Sequence, residues 1–133
     1  MTTFLDTNVL IALLNDREPH HVWSVEQLKA CKLNGPALIS DIVYCEFSVG
    51  MATQAHVDAA VARFALERMP SDDAVLFRAG AAFKQYKAQK GQKTNVLPDF
   101  LIGAIAEVSG APLVTANPKD FTGYFPNIQI IAP

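Results

Sequence analysis

Short apolar runs alternate along this chain with longer segments whose hydrophobic positions recur every three or four residues. Residues 2–5 carry the pattern of a short buried strand, and Thr7 to Leu14 that of a helix ending near Asn15-Asp16. Pro19 restarts the chain, and His21 to Lys32 reads as a second helix with Val22, Val25 and Leu28 near one face. Asn34-Gly35-Pro36 is a stop signal, followed by a second short strand at Ala37-Leu38-Ile39. Ser40 or Asp41 can cap a helix from Ile42 to about Ala52. His56 to Glu67 is another helix, and Met69-Pro70 a short edge strand. Asp72 or Asp73 caps a long helix to about Lys90, in which Val75, Ala79, Ala82, Phe83 and Tyr86 share a face, and Gly91 ends it. A polar loop is expected over 91–97. Pro98 then opens a helix through Val108, which Gly110 closes. Ala111 to Thr115 is a strand, Pro118 to Phe121 a turn of helix, and Ile128 to Ile131 a last strand.

Strands that alternate with helices imply an α/β fold: three layers, with a short, mostly parallel central sheet flanked by helices on both faces. Ligands of such sheets bind beyond the carboxyl ends of the strands. At 133 residues, with no repeat or long linker, the chain reads as one domain spanning residues 1–133.

Composition narrows the class further. Half the residues are hydrophobic and 18% are charged, which excludes a disordered chain. No apolar run reaches the roughly 18 residues of a membrane span, and no basic segment precedes the first apolar stretch as in a signal peptide. A soluble cytoplasmic protein with no membrane partner is the expectation. A net charge of −2 argues against a strongly basic nucleic-acid coat, but not against a local patch. Arg78, Lys84, Lys87, Lys90 and Lys93 lie in a stretch without acids. That stretch is either a solvated helix face or a rim that contacts phosphates. Cys31 and Cys45 lack any metal-binding spacing and read as reduced, small hydrophobes. His20, His21 and His56 read as surface or packing residues.

Four carboxylates stand where a folded chain rarely places a charge. Asp6 follows Phe4-Leu5 and precedes Val9-Leu10-Ile11, and Glu46 is the only formal charge between Asp41 and Asp58. Asp99 sits between Pro98 and Phe100-Leu101-Ile102, and Asp120 lies between Leu113-Val114-Thr115 and Phe121. Carboxylates in apolar surroundings are costly unless paired or bound to a cation. The predicted strands would bring Asp6, Asp99 and Asp120 to one sheet edge, and Glu46 can join from the helix after strand two. On that helix Glu46 shares a face with Ile42, Val49 and Gly50, which is expected to point inward. Each acid also has an ordinary reading: Asp99 as a dipole-favoured first-turn residue, Asp120 as part of an Asn-Pro turn, Glu46 as a group on a wet helix face. Hard oxygen ligands of this kind suit Mg²⁺ or Mn²⁺ rather than zinc. No Gly-rich phosphate loop, nucleophile elbow or Cys–His motif is present.

Taken together, four segments resemble the PIN-domain ribonucleases, and among them the VapC-type toxins of bacterial toxin–antitoxin pairs. The segments are Phe4-Leu5-Asp6-Thr7-Asn8-Val9-Leu10, Ile39-Ser40 with Glu46 and Gly50, Pro98-Asp99-Phe100-Leu101-Ile102-Gly103-Ala104-Ile105-Ala106, and Leu113 through Phe121. Their order and spacing cover nearly the whole chain. The resemblance implies a Mg²⁺- or Mn²⁺-dependent endoribonuclease acting on single-stranded or loop RNA, a homodimer, and a small cognate antitoxin that blocks the site. It places Asp6, Glu46 and Asp99 at the metal. Many members carry an aspartate where this chain has Asn117, so the fourth catalytic carboxylate is either Asp120 or missing. With three acids a single metal is favoured over a tight pair. Thr7, Asn8, Ser40, Thr115 and Asn117 are expected to orient ligands or water, and Lys84, Lys87 and Lys90 to touch RNA. A metal in such a site activates water for in-line attack, leaving a 5′-phosphate and a 3′-hydroxyl. The dimer is expected to form away from the acidic edge, with Phe47, Met51 or Phe64 as candidate apolar surface.

Other readings make different demands. A haloacid-dehalogenase-type phosphatase needs a second aspartate two residues after the first, where Asn8 stands. A phospho-accepting receiver domain wants adjacent acids after strand one, where Asp6 stands alone. The remaining alternative is a catalytically inactive PIN-like module that only binds RNA or protein. Metal-dependent RNA cleavage by the purified chain separates it from the enzyme.

Overall fold

The computed structural model describes residues 1–93 and 95–133. Their elements run β1 (Thr3–Leu5), α1 (Thr7–Leu14), α2 (His21–Asn34), β2 (Ala37–Ser40), α3 (Asp41–Ser48), α4 (Gln54–Arg63), β3 (Glu67–Met69), α5 (Asp73–Ala88), α6 (Leu97–Ser109), β4 (Leu113–Val114), α7 (Lys119–Thr122) and β5 (Ile130–Ile131). The sheet order is β3-β2-β1-β4-β5, and every pairing is parallel. Every residue of β1, β2 and β4 is buried, so both faces of the sheet centre are covered. The fold is the expected α/β architecture, with a short parallel central sheet among helices.

From β1 the chain crosses to β2 and β3 on one side, then returns to build β4 and β5 on the other. The reversal lies between β1 and β4, where ladder bonding continues past the strands: the Asp6 amide donates to the Val114 carbonyl at 2.9 Å. A crevice at that point, beyond the carboxyl ends, is where open parallel sheets hold ligands.

Several expected boundaries shift. α4 stops at Arg63, Ala65 takes φ 49°, and Glu67–Met69 pairs with Leu38–Ser40 as β3. Backbone pairing to β2 prevails there over the local helical pattern. α3 ends at Ser48, four residues early, and it is turned so that Val43 and Phe47 enter the core. The face of Ile42, Glu46, Val49 and Gly50 therefore does not point inward: Val49 is 86% exposed. Phe47, only 5% exposed, is a core residue and offers no dimer surface. Both cysteines are free, but only Cys31 is buried, and Cys45 lies at the surface. The polar loop expected over 91–97 gives way to α6 at Leu97, and Thr94 within it lies outside the described residues. No helix among the described residues is long and apolar enough to cross a membrane.

α5 and α6 close the wall beneath the site through an aromatic chain. Phe100 meets the rings of Phe83, Tyr86, Tyr124 and Phe125 with centroids 5.2–6.2 Å apart. Gly103 lets Phe125 approach α6, since a Cβ there would lie 2.5 Å from the ring. In a helix interior, glycine to alanine gains up to about 1 kcal/mol of propensity. The Phe125 ring is buried and cannot swing out, so overpacking prevails. Gly103→Ala is expected to lower the urea unfolding midpoint by about 1–3 kcal/mol of stability. A midpoint at or above wild type would show that the wall can shift to admit a methyl group.

Candidate metal centre

Asp6 leaves β1 at the reversal point and caps α1. It is 5% exposed, the most deeply buried carboxylate of the four. Its carboxylate accepts hydrogen bonds from the Thr7 amide (2.7 Å), the Thr115 hydroxyl (2.7 Å) and the Asn8 side-chain amide (3.3 Å). Asn8 in turn accepts from the Ala116 amide at 3.2 Å, and the Thr115 hydroxyl accepts from the Asn117 amide at 3.0 Å. The ends of β1 and β4 are thus laced together through side chains, and Asp6 has little rotational freedom.

Glu46 reaches the same place from α3. Its Oε1 accepts the Thr7 hydroxyl proton at 2.7 Å, which joins it to the residue next to Asp6. Ser40 serves it indirectly: the hydroxyl accepts from the Val43 amide at 3.4 Å and caps α3. Asp99 lies in the first turn of α6, half-buried. Asp120, in the first turn of α7, accepts from the Asn117 side-chain amide at 2.7 Å. Asp99, Asn117 and Asp120 line one pocket of about 530 Å³ with Tyr86, Lys90, Lys93 and Tyr124.

The four acids feel one another. Burial pushes Asp6 up to about 6, against the hydrogen bonds from Thr115 and Thr7, and the charges of Glu46 and Asp120 add to the rise. Asp99 is pushed up to about 7 by burial and by the charges of Asp120, Asp6 and Glu46, and Lys93 pulls it down. Among the described residues the ion pairs are Arg68–Asp41 and Arg78–Glu107, so none of the four has a bonded cation. Nor do any three acidic side chains among the described residues already stand in a coordinating arrangement. The acids form an electrostatic cluster whose charge is only partly offset, by Lys93 near Asp99. Its donor set is hard, anionic oxygen, which fits Mg²⁺ or Mn²⁺. Asp6, Glu46 and Asp99 would hold the ion, with Asp120 at hand.

The basic stretch divides. Arg78 donates to Glu107 at 2.6 Å and to the Tyr124 carbonyl at 2.7 Å, which makes it a brace for the wall instead of a phosphate contact. Lys84 is exposed on α5, outside the pocket lining, and the Lys87 ammonium sits 5.5 Å from the centre of the Phe83 ring. Lys90 lines the pocket, as does Lys93. Sequence reasoning missed Tyr86 and Tyr124 as site residues, and it placed Lys93 in the basic stretch but not among the named RNA contacts. The i, i+3 spacing of Lys84, Lys87 and Lys90 led along the helix, whereas Lys93 comes to the pocket by a loop.

A family model described as "PIN domain" matches residues 3–123. No curated protein matches the chain by sequence. Among solved structures, a VapBC complex from Rickettsia felis bound to promoter DNA aligns with 23% identity and TM-score 0.79, over 100% of this chain and 99% of that one. A toxin–antitoxin complex from Klebsiella pneumoniae aligns with 26% identity and TM-score 0.71, over 98% and 97%. A VapC toxin from Mycobacterium tuberculosis, described as cleaving the sarcin–ricin loop, aligns with 19% identity and TM-score 0.59, over 84% and 86%.

The raised carboxyl values fix the sign of a pH effect. Unfolded aspartates titrate near 3.8, and these two titrate near 6 and 7 when folded. The folded state binds more protons in between, so this stabilisation is present below the unfolded value and lost as pH rises through the folded ones. The melting temperature of the metal-free protein is expected to fall between about pH 5 and about pH 8. Millimolar Mg²⁺ or Mn²⁺ should restore it at the upper end and act less at the lower, where protons compete. Asp99 is half-buried, and water screens part of its interaction with the other acids. Asp99→Asn should raise the metal-free midpoint at about pH 8 by roughly 3–5 °C, the effect of about 1 kcal/mol. A midpoint indifferent to metal, and unchanged by the mutation, would contradict the clustering.

Proposed function

The chain belongs to the PIN-domain family, and on that footing we propose that it is a Mg²⁺- or Mn²⁺-dependent endoribonuclease, the toxin of a toxin–antitoxin pair. The observation that carries the proposal is the set of four carboxylates on one sheet edge with no bonded cation. Pure structural acids would be paired or solvated. The members of the fold that were crystallised with antitoxins support a cognate antitoxin as the partner here, and the activity named for the Mycobacterium tuberculosis protein supports RNA as the substrate. A homodimer working in the cytoplasm completes the reading.

A bound divalent ion supplies positive charge at the scissile phosphate and a water of lowered pKa. The chain's own residues prepare for it. Thr115, Asn8 and the Thr7 amide hold the Asp6 carboxylate in one orientation, and the Thr7 hydroxyl fixes one Glu46 oxygen. Asp99 stays free of hydrogen bonds from neighbouring elements among the described residues and faces the open pocket. Asn117 aligns Asp120 at the pocket wall. Asp120 therefore acts from beside the three-acid core, through water or a second ion.

Cleavage rate against Mn²⁺ concentration, with folding checked by circular dichroism, tests the assignment. Asp99→Asn removes a charge from the core and should abolish detectable RNA cleavage. Asp120→Asn should lose activity in part and recover as metal is raised. Asn117→Ala removes only a neutral brace, and its loss should be milder, within about tenfold. Full activity in Asp99→Asn would refute the mechanism. An Asp120→Asn protein as inactive as Asp99→Asn at every metal concentration would make Asp120 a full ligand. Wild-type protein that binds RNA yet never cuts it would favour a non-catalytic module.

A further inference from the structure

An acidic pocket repels the polyanion it is meant to cut, so the rim must carry positive charge placed with some precision. Among the described residues the cations lining the pocket are Lys90 and Lys93. Lys93 is held there by a specific device. α5 ends at Ala88, and the Gly91 amide donates back to the Tyr86 carbonyl at 3.0 Å while the Lys90 amide donates to the Lys87 carbonyl at 3.0 Å. Lys90 takes the left-handed conformation, φ 57°, that this helix ending requires. Gly91 then lies flat against the Tyr86 ring, where any Cβ would run into it. Two residues on, the Tyr86 hydroxyl accepts from the Lys93 amide at 2.6 Å and contacts the Lys93 carbonyl at 3.3 Å. Tyr86 is itself wedged edge-on between Phe100 and Tyr124, with centroids 5.7 and 5.9 Å away, and the Tyr124 hydroxyl donates to Gln89 at 3.1 Å. The loop after α5 is thus pinned at its start by ring packing and at Lys93 by the phenol.

We propose that Lys93, held at the mouth of the acidic pocket by the Tyr86 hydroxyl, contacts a phosphate of the RNA strand, and that Tyr86 is its positioning residue. The inference rests on the ribonuclease reading and adds to it the cation that admits the strand. With its backbone tethered, Lys93 keeps its positive charge at the pocket mouth, where it offsets the repulsion an incoming phosphate meets. Lys84 and Lys87, by contrast, lie outside the pocket lining.

The test is a fluorescein-labelled single-stranded RNA, its affinity followed by anisotropy in Ca²⁺ over a tenfold range of KCl, and its cleavage followed separately in Mn²⁺. Each phosphate contact on a single strand contributes about fivefold to the loss of affinity over that range. Lys93→Gln is expected to flatten the salt dependence by about that one fivefold step, and Lys93→Arg to keep it. Lys29→Gln, on the exposed face of α2, serves as the control for net charge alone and should match wild type. Tyr86→Phe keeps the ring and the charge but loses the tether, so it should weaken binding at every salt with the slope unchanged. If wild type binds and cuts the RNA while Lys93→Gln has the wild-type slope, the phosphate contact is wrong and the ribonuclease stands. If Tyr86→Phe binds as wild type does, the tether plays no part. Wild type that binds RNA, with the slope change in Lys93→Gln but no cleavage, would uphold the contact and overturn the nuclease. Wild type that neither binds nor cuts overturns both.

Discussion

Carboxylates drawn out of water and set near one another, with burial the larger cost and mutual repulsion added to it, are the constraint around which this molecule is arranged. At an effective dielectric of about 20, two like charges about 6 Å apart repel by roughly 3 kcal/mol. A hydrogen bond to a charged acceptor returns about 1.5–3 kcal/mol. The bonds that Asp6 accepts from Thr7, Thr115 and Asn8 therefore offset part of its burial, yet it remains raised to about 6. Asp99, with fewer partners, rises to about 7. A fold that only needed stability would place neutral side chains there. Keeping acids makes sense when the rest of the counter-charge, beyond what Lys93 supplies, comes from outside.

The parallel sheet makes such a cluster possible at all. Its reversal between β1 and β4 opens a crevice at the carboxyl ends, and the two strand ends carry Asp6 and Thr115 into it. Helices that start from that edge add the rest: α3 brings Glu46, α6 brings Asp99 and α7 brings Asp120. Asp6 and Glu46 are fixed by Thr115 and Thr7 from different elements, so this half of the cluster also ties the molecule's layers together. The aromatic wall under it is braced from outside by Arg78, which grips Glu107 and the Tyr124 carbonyl. One end of the basic stretch thus stabilises the pocket, and the other end, at Lys90 and Lys93, reaches its mouth.

Local sequence made most of this legible where a signal and its structural cause lie close together. The Asp6 break after an apolar strand, Pro98 and Gly110 at the two ends of α6, and Ser40 as the cap of α3 all act within a few residues. What stayed hidden depends on distant partners. β3 was expected at Met69-Pro70 but starts at Glu67, in what looked like a helix end, because only its register against β2 makes that residue part of a strand. The roll of α3 was misjudged because Val43 and Phe47 compete with Ile42 and Val49 for the core, and packing decides between two apolar stripes. Even so, either roll leaves Glu46 near the crevice, since it lies on the border between them. Lys93 was passed over in favour of Lys84, Lys87 and Lys90 because its place is set by the Tyr86 phenol, across a helix end that periodicity does not describe.

The central claim is that Asp6, Glu46 and Asp99 act as one ion-binding unit. Calorimetric titration of Mn²⁺ in buffers of different ionisation enthalpy tests it most directly, because it counts ions bound and protons released together. Near pH 6.5, Asp6 and Asp99 with values of about 6 and 7 are partly protonated. Binding should expel those protons, and the release should vanish at about pH 8.5. Asp6→Asn should weaken binding and diminish the release together. Mn²⁺ that binds without releasing protons near pH 6.5, or binds Asp6→Asn as tightly as wild type, would contradict the account.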